Sequence, residues 1–290
     1  MSYPWKKCAK AGVVGVFVLS ALPLSWAAGK PPLSDWGDVG FRVVKTAPSG
    51  YVYKPRDGTI QEALKQAFQA LTAGIPESET TLEGQRKFAE ARWDDYVTNL
   101  SDFDRDTVRR YTEQDWYEGF SRTVRANVPR GFLSENFTRR DDALYKVLHQ
   151  RSADRDYVVS RYASLSAFTD SEIKKLAGTT MQDPGYLSTS LGGQGTQEWD
   201  VQKSRVDFRL RLPEGTAVAS IQKISHYPVE EEMLLPRGTE IQITDVICAI
   251  PDAGKKKSWD GWKEEWGCGH WEIFGKVAAP FPQPGPTSSR

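Results

Sequence analysis

The sequence predicts an α+β protein, on the order and texture of its apolar segments. Between residues 59 and 150, apolar side chains recur at helical spacing, whereas from 157 to 277 they gather in short runs rich in Val, Ile, Tyr, Phe and Leu. Helices come first and strands follow, without the alternation that builds a parallel α/β sheet. The expected architecture is a set of N-terminal helices followed by a mixed β-sandwich core.

Five helices are predicted at 59–73, 82–97, 103–111, 114–125 and 138–150. Strands are predicted at 157–163, 187–190, 206–212, 217–224, 232–235, 240–250 and 271–277, with a helix at 170–177 between the first two. Ahead of the helices, 28–58 forms an N-terminal arm with strand-like pieces at 41–44 and 51–53 and no motif. The segment 279–290 holds four prolines and is expected to be a disordered tail. The main domain is therefore expected at 59–278.

Lys6, Lys7 and Lys10 precede an apolar run that ends in Ser25-Trp-Ala27-Ala28. These are the three parts of a signal peptide, expected at 1–27, and the protein is expected to be secreted to the periplasm or beyond. The run is about 16 residues long and broken by Pro23, short of the roughly 20 that a spanning helix needs. No later stretch is apolar enough to span a membrane.

Lys+Arg and Asp+Glu balance at 38 each. Loss of the leader would remove three lysines and no acids, leaving about three negative charges, so electrostatic nucleic-acid binding is not expected. The run Lys255-Lys-Lys257 stands among acids and resembles a solvated loop. Of three cysteines Cys8 leaves with the leader, and Cys248 and Cys268 remain as one pair in an exported chain. A disulfide is expected, closing 19 intervening residues and stabilising by roughly 3 kcal/mol. None of the three histidines pairs with a cysteine at ligand spacing, and no metal is expected.

Three motifs carry chemistry. The most unusual is Pro228-Val-Glu-Glu-Glu-Met-Leu-Leu-Pro-Arg-Gly238, three acids running into an apolar strand. In an extended segment Glu230 and Glu232 share a face and Glu231 takes the other, where it is expected to matter little. Two carboxylates side by side need a cationic partner or a proton, unless they merely blunt a solvated edge strand. Upstream, Asp183-Pro-Gly launches a short strand ending in Ser188-Thr189-Ser190, and the apolar run 157–163 carries one charge, Arg161, which needs an anion.

Arg161, then Ser188-Thr189-Ser190, then Glu230-x-Glu232, in that order, resembles the arginine, serine and glutamate motifs of the mono-ADP-ribosyltransferase exotoxins. The continuation Glu-Met-Leu-Leu-Pro-Arg-Gly resembles the actin-modifying members. Asp102 to Thr112, followed by Trp116 and Tyr117, looks like the helix and Tyr-Thr turn that precede their catalytic sheet, so the resemblance covers roughly 80 to 277. Ser160 stands where many members have an aromatic residue, and Tyr162 where a small residue often follows the arginine.

The resemblance implies NAD as co-substrate, held by Arg161, Tyr162, Ser188, Thr189, Ser190, Trp199 and Glu232. Glu232 would answer the positive charge that grows on the ribose as nicotinamide leaves, with Ser188 holding the carboxylate. Arg161 would pair with a phosphate through its planar fork. Glu230 would bind the incoming guanidinium and draw off its proton, which implies an arginine on a target protein, actin among the candidates. Tyr227, in the turn Ser225-His-Tyr-Pro228, matches the family's substrate-recognition aromatic or is a local packing plug. Trp199, in the glycine-rich stretch after Ser190, matches the residue that stacks on nicotinamide or simply anchors a surface loop. The expected enzyme is a monomeric, toxin-like protein-arginine mono-ADP-ribosyltransferase. An NAD glycohydrolase with water as acceptor, or a silent binding module on the same fold, are the alternatives.

Overall fold

The computed structural model describes residues 41–48, 58–163, 169–192, 206–257 and 264–278, all within one compact unit, with side chains at 114–115 and 250–267 left aside. The expected leader and tail, much of the expected arm and Trp199 lie outside the described residues.

Short polar caps set the helix starts. In α1 (Ile60–Leu71), α3 (Leu82–Thr98), α4 (Asp102–Tyr111) and α6 (Glu135–Gln150), the hydroxyls of Thr59, Thr81, Ser101 and Ser134 each accept a backbone N–H from the first turn. The cap at Ser134 starts α6 three residues before the apolar spacing becomes visible. A single turn, α2 (Glu77–Thr80), precedes α3, and α5 (Gln114–Arg125) follows α4 as predicted. The helix predicted at 170–177 is a five-residue α7 (Asp170–Lys174), whose Thr169 and Glu172 form a reciprocal capping box.

The strands are β1 (Arg42–Lys45), β2 (Tyr157–Ala163), β3 (Thr180–Gln182), β4 (Leu187–Leu191), β5 (Val206–Leu212), β6 (Ala219–Ser220), β7 (Glu232–Leu235), β8 (Glu240–Lys257) and β9 (Glu264–Val277). They join in one hydrogen-bonded sheet in the order β1-β3-β8-β9-β5-β2-β4-β7-β6. Only β5 and β9 run parallel, so the sheet is mixed. The architecture is α+β, as the order of segments predicts, and β1 falls on the strand-like piece expected at 41–44.

Two departures have a plain cause. The strand expected at 217–224 is confined to β6, because its partner β7 is only four residues long. Beyond the Ile221 N–H to Glu232 carbonyl bond, 3.0 Å, the chain turns back on itself, with the Ile224 and Ser225 amides both bonding to the Ile221 carbonyl. The three-residue β3 has no counterpart among the expected strands; its pairing with β1 and β8, rather than any local pattern, makes it a strand.

β2 joins the two arms of the sheet. Toward β5 it pairs at seven positions, but toward β4 at only two, Val159 with Leu191 and Ser160 with Ser190. The helices bury their apolar stripes against this junction: Trp93, Tyr111, Leu144 and Leu148 are essentially inaccessible and belong to the same core as Tyr157, Val159, Leu187 and Met233. A second small cluster seats Ala63, Ala67 and Leu71 of α1 on Val158, Ile247 and Phe274. Phe41, just before β1, is fully buried with its ring 5.3 Å from that of Phe208, so the start of β1 is part of the core. The expected disulfide Cys248–Cys268 is formed and ties β8 to β9.

Candidate active site

Where the β2–β4 ladder stops, a side chain takes over from the backbone. The next position on β2 is Arg161, whose Nη1 donates to the Ser188 carbonyl at 2.7 Å. Its guanidinium lies 5.9 Å from the Phe41 ring, and its buried Nε has no hydrogen-bond partner among the described residues. A planar fork fixed on one side with a donor left over is suited to a further anionic acceptor.

On the other arm, Ser190 faces Glu232 in register and Ser188 stands one alternate position along, within diagonal reach. The Ser188 hydroxyl donates to Glu232 Oε1. Glu232 is only 4% exposed. Burial pushes its carboxyl up to about 7; the Ser188 hydrogen bond and Arg161 favour the charged form, and Glu230 opposes it. Thr189 points elsewhere, buried, with its hydroxyl donated to the Met233 carbonyl at 2.7 Å.

The three acids do not form the extended segment that alternation suggests. Pro228–Glu230 is a single 3-10 turn, and Glu231 adopts the left-handed conformation at φ 48°, ψ 46° before β7 begins at Glu232. Glu230 nonetheless acts electrostatically on Glu232. Glu231 is far from inert: it is 8% exposed and ion-paired with Arg86 of α3. A non-glycine residue in this region costs of order 1 kcal/mol or more, and the part-buried ion pair with Arg86 works against that cost.

Aromatic and charged groups from the helices close the site from behind. Tyr111 is fully buried, and burial, with Tyr117 and Glu232 adding to it, raises its phenol well above the usual range. Tyr117 packs edge-on against Tyr111 at 5.3 Å. Burial pushes the Tyr117 phenol up, but the guanidinium groups of Arg161 and Arg125 outweigh it and leave it below its ordinary value. Arg125 is held by two bonds of 3.1 Å to the wholly buried Asp183. A side chain at Gly185 would press on the Arg125 stem at 3.0 Å, so the glycine leaves room for this ion pair.

The Ser225–Pro228 turn is anchored rather than loose at its start. His226 N–H donates to Thr112 Oγ1 at 3.0 Å, and the His226 ring contacts Glu113 at 3.0 Å, so the Tyr-Thr turn after α4 carries this segment. From it Tyr227 and Val229 project, 45% and 73% exposed. Gly192 ends β4 at φ 77°, where a side chain would strike Leu82 at 2.7 Å, and the glycine-rich stretch with Trp199 begins just outside the described residues.

A model of the ADP-ribosyltransferase exoenzyme family matches residues 85–259, more than half of the 290 residues. The chain belongs to that family. No curated protein sequence matches it. Among solved structures it is similar to Plx2a, an ADP-ribosyltransferase toxin from Paenibacillus larvae, at 19% identity and a TM-score of 0.51. It is also similar to an ADP-ribosyltransferase from Clostridium botulinum, at 16% and 0.53, and to a protein from S. aureus solved with NAD, at 18% and 0.52. Each alignment covers 68% of this chain and 96% of the other. At such identities the likeness establishes the fold.

The exoenzyme fold thus gathers Arg161, Ser188, Ser190, Glu230 and Glu232 at one junction. Tyr162 follows Arg161 on the strand, so its side chain takes the opposite face, where Asp207, Arg209 and Glu272 act on it. No local pattern marks Arg86, Arg125 or Asp183, whose partners lie 145 or 58 residues away. Phe41 stands in the arm without a motif. Among the described residues, no helix is long and apolar enough to cross a membrane.

Proposed function

We propose that this member of the family is a secreted enzyme that transfers ADP-ribose from NAD to an arginine side chain of a target protein, with residues 59–278 as its catalytic domain. The observation that carries the proposal is a buried carboxylate, Glu232, gripped by Ser188, with a second acid beside it and the Arg161 guanidinium within electrostatic reach.

The chemistry follows from charge. Cleaving the bond from nicotinamide to ribose puts positive charge on the sugar while the leaving group becomes neutral. A preorganised carboxylate in a site of low polarity stabilises that state by roughly 3–4 kcal/mol, and Glu232 is the group for it. Ser188 donates to the carboxylate, fixes its rotamer and favours its charged form. Arg161 takes a phosphate of NAD through its planar guanidinium. Ser190, Thr189 and Trp199 complete the proposed NAD contacts, Thr189 through the backbone it fixes, while Tyr162, on the opposite face of β2, is not among them. Glu230, at the end of the turn, receives the target guanidinium and removes its proton as the nitrogen attacks. Tyr227 flanks this entrance as the proposed recognition aromatic. Export rests on the leader at 1–27, and the disulfide suits an oxidising compartment.

The test is transfer of label from biotinylated NAD by the oxidised protein onto a cell lysate, beside Glu232→Gln and Glu230→Gln. A discrete band lost in both variants and released by hydroxylamine is expected. Loss of NAD without a band, equally fast in Glu230→Gln, would instead make the protein an NAD glycohydrolase.

A further inference from the structure

A second cluster of ionisable side chains lies on the ladder between β5 and β9, on the sheet face opposite the Arg161 side chain. Asp207 is the register partner of Glu272 across the parallel pair, and His270 precedes Glu272 by two residues on β9, so all three share a face. One potential ligand atom from each lies within 4.8 Å of the others. We propose that Asp207, His270 and Glu272 bind one divalent transition-metal ion of the zinc or cobalt class.

The donor set selects the class. One imidazole nitrogen and two carboxylates suit zinc, cobalt or manganese, whereas calcium and magnesium take oxygen donors throughout. A filled tetrahedral site with bonds near 2.1 Å brings its ligand atoms to about 3.5 Å of one another. The cluster is somewhat wider, and rotation of side chains on fixed strands closes it. His270 and Glu272 are half-buried, which leaves room for water to complete the coordination.

Two observations besides proximity point to a cation. Asp207 is 1% exposed, yet its Oδ1 has no hydrogen-bond partner among the described residues. A buried carboxylate oxygen left this way carries a desolvation cost that a metal ion would remove. Arg209 meets the other oxygen of Asp207 at 2.6 Å and Glu272 Oε2 at 3.1 Å. It orients both carboxylates from one side, as outer partners of metal ligands do, and one guanidinium against two carboxylates leaves a unit of negative charge. The disulfide at Cys268, two residues before His270, fixes the strand that carries two of the three ligands.

The rival to a metal ion is a proton. Burial pushes the Asp207 carboxyl up, Arg209 pulls it down and Glu272 pushes it up again, to about 8. Titration of the chelator-treated, oxidised full chain with Co2+, followed by its visible absorption, separates the two. Saturation at one ion per chain is expected, with displacement by Zn2+. Affinity should fall in His270→Gln and Glu272→Gln by more than the roughly 10–100-fold that loss of an outer partner costs, circular dichroism showing both variants folded. Absence of saturable uptake, which is the proton-only outcome, would overturn the proposal, as would uptake that both variants retain.

Discussion

The arm of the sheet that ends in β2 is braced by an 18-residue β8, a 14-residue β9, a disulfide between them and a seven-pair ladder from β5 to β2. The other arm consists of β4, β7 and β6, with five, four and two residues. The long arm supplies Arg161 and the short arm supplies Ser188, Glu230 and Glu232. In the proposed roles, a group that binds a phosphate needs only a fixed position, and the long ladder gives Arg161 one. The groups that meet developing charge on the sugar must instead be set relative to each other, and the short arm does this with side-chain bonds: Ser188 to Glu232, and Arg86 to Glu231. On the proposed roles the contrast predicts a division of labour, in which changes on the long arm alter binding and changes on the short arm alter turnover.

The largest effect should come from the short arm. Glu232→Gln keeps the shape and removes the charge, and kcat for NAD cleavage is expected to fall about 10²–10³-fold with little change in KM. Equal losses in kcat and in affinity would break the division. Ser188→Ala should follow at about tenfold in kcat, the size of one hydrogen bond to a charged group. It carries a second signature in pH. Only the ionised Glu232 answers positive charge, so kcat/KM should rise with pH through about 7 in the parent enzyme. Since the Ser188 bond favours the charged form, its removal should move that midpoint to higher pH. Stability runs the other way: Glu232 titrates higher folded than its ordinary 4.5, so its contribution to stability is lost as pH rises from about 4.5 to 7.

On the long arm, Arg161→Lys keeps the charge and removes the fork. An increase of about tenfold in KM for NAD, with kcat changed less, is expected from steady-state kinetics. A fall in kcat alone would mean that Arg161 acts on the transition state, and the two arms would not divide the work as proposed.

Much of this is legible in the sequence because it is local. The apolar stripes of α4 to α6 and the runs that form β2, β5 and β7 depend on residues within a few positions of one another. The order of Arg161, Ser188 and Glu232 is legible through family resemblance, and the register brings the three together. Three things are hidden. The Glu230–Glu232 segment reads as extended by alternation, but Pro228 starts a 3-10 turn and a left-handed Glu231 follows it. β3 exists through its neighbours on both sides. The partners of Arg125, Asp183 and Glu231 are set by tertiary packing, which no spacing along the chain encodes.

The smallest effect tests how the short arm is held. Arg86→Ala would leave Glu231 buried without its partner, in a backbone conformation that only glycine takes without strain. Arg86 is itself 39% exposed on its side chain, so the loss is tempered by solvent, and a stability decrease of about 1–3 kcal/mol in urea unfolding is expected. Glu231→Gly separates the two parts of that cost, because it removes the ion pair and the strain together. If the pair is what sets Glu230 and Glu232, both variants should lower kcat by a few-fold while leaving KM for NAD unchanged, since Arg161 stands on the other arm. If only stability responds, and kcat holds in both variants, then Ser188 alone positions Glu232, and the ion pair merely compensates for the left-handed turn that delivers the strand.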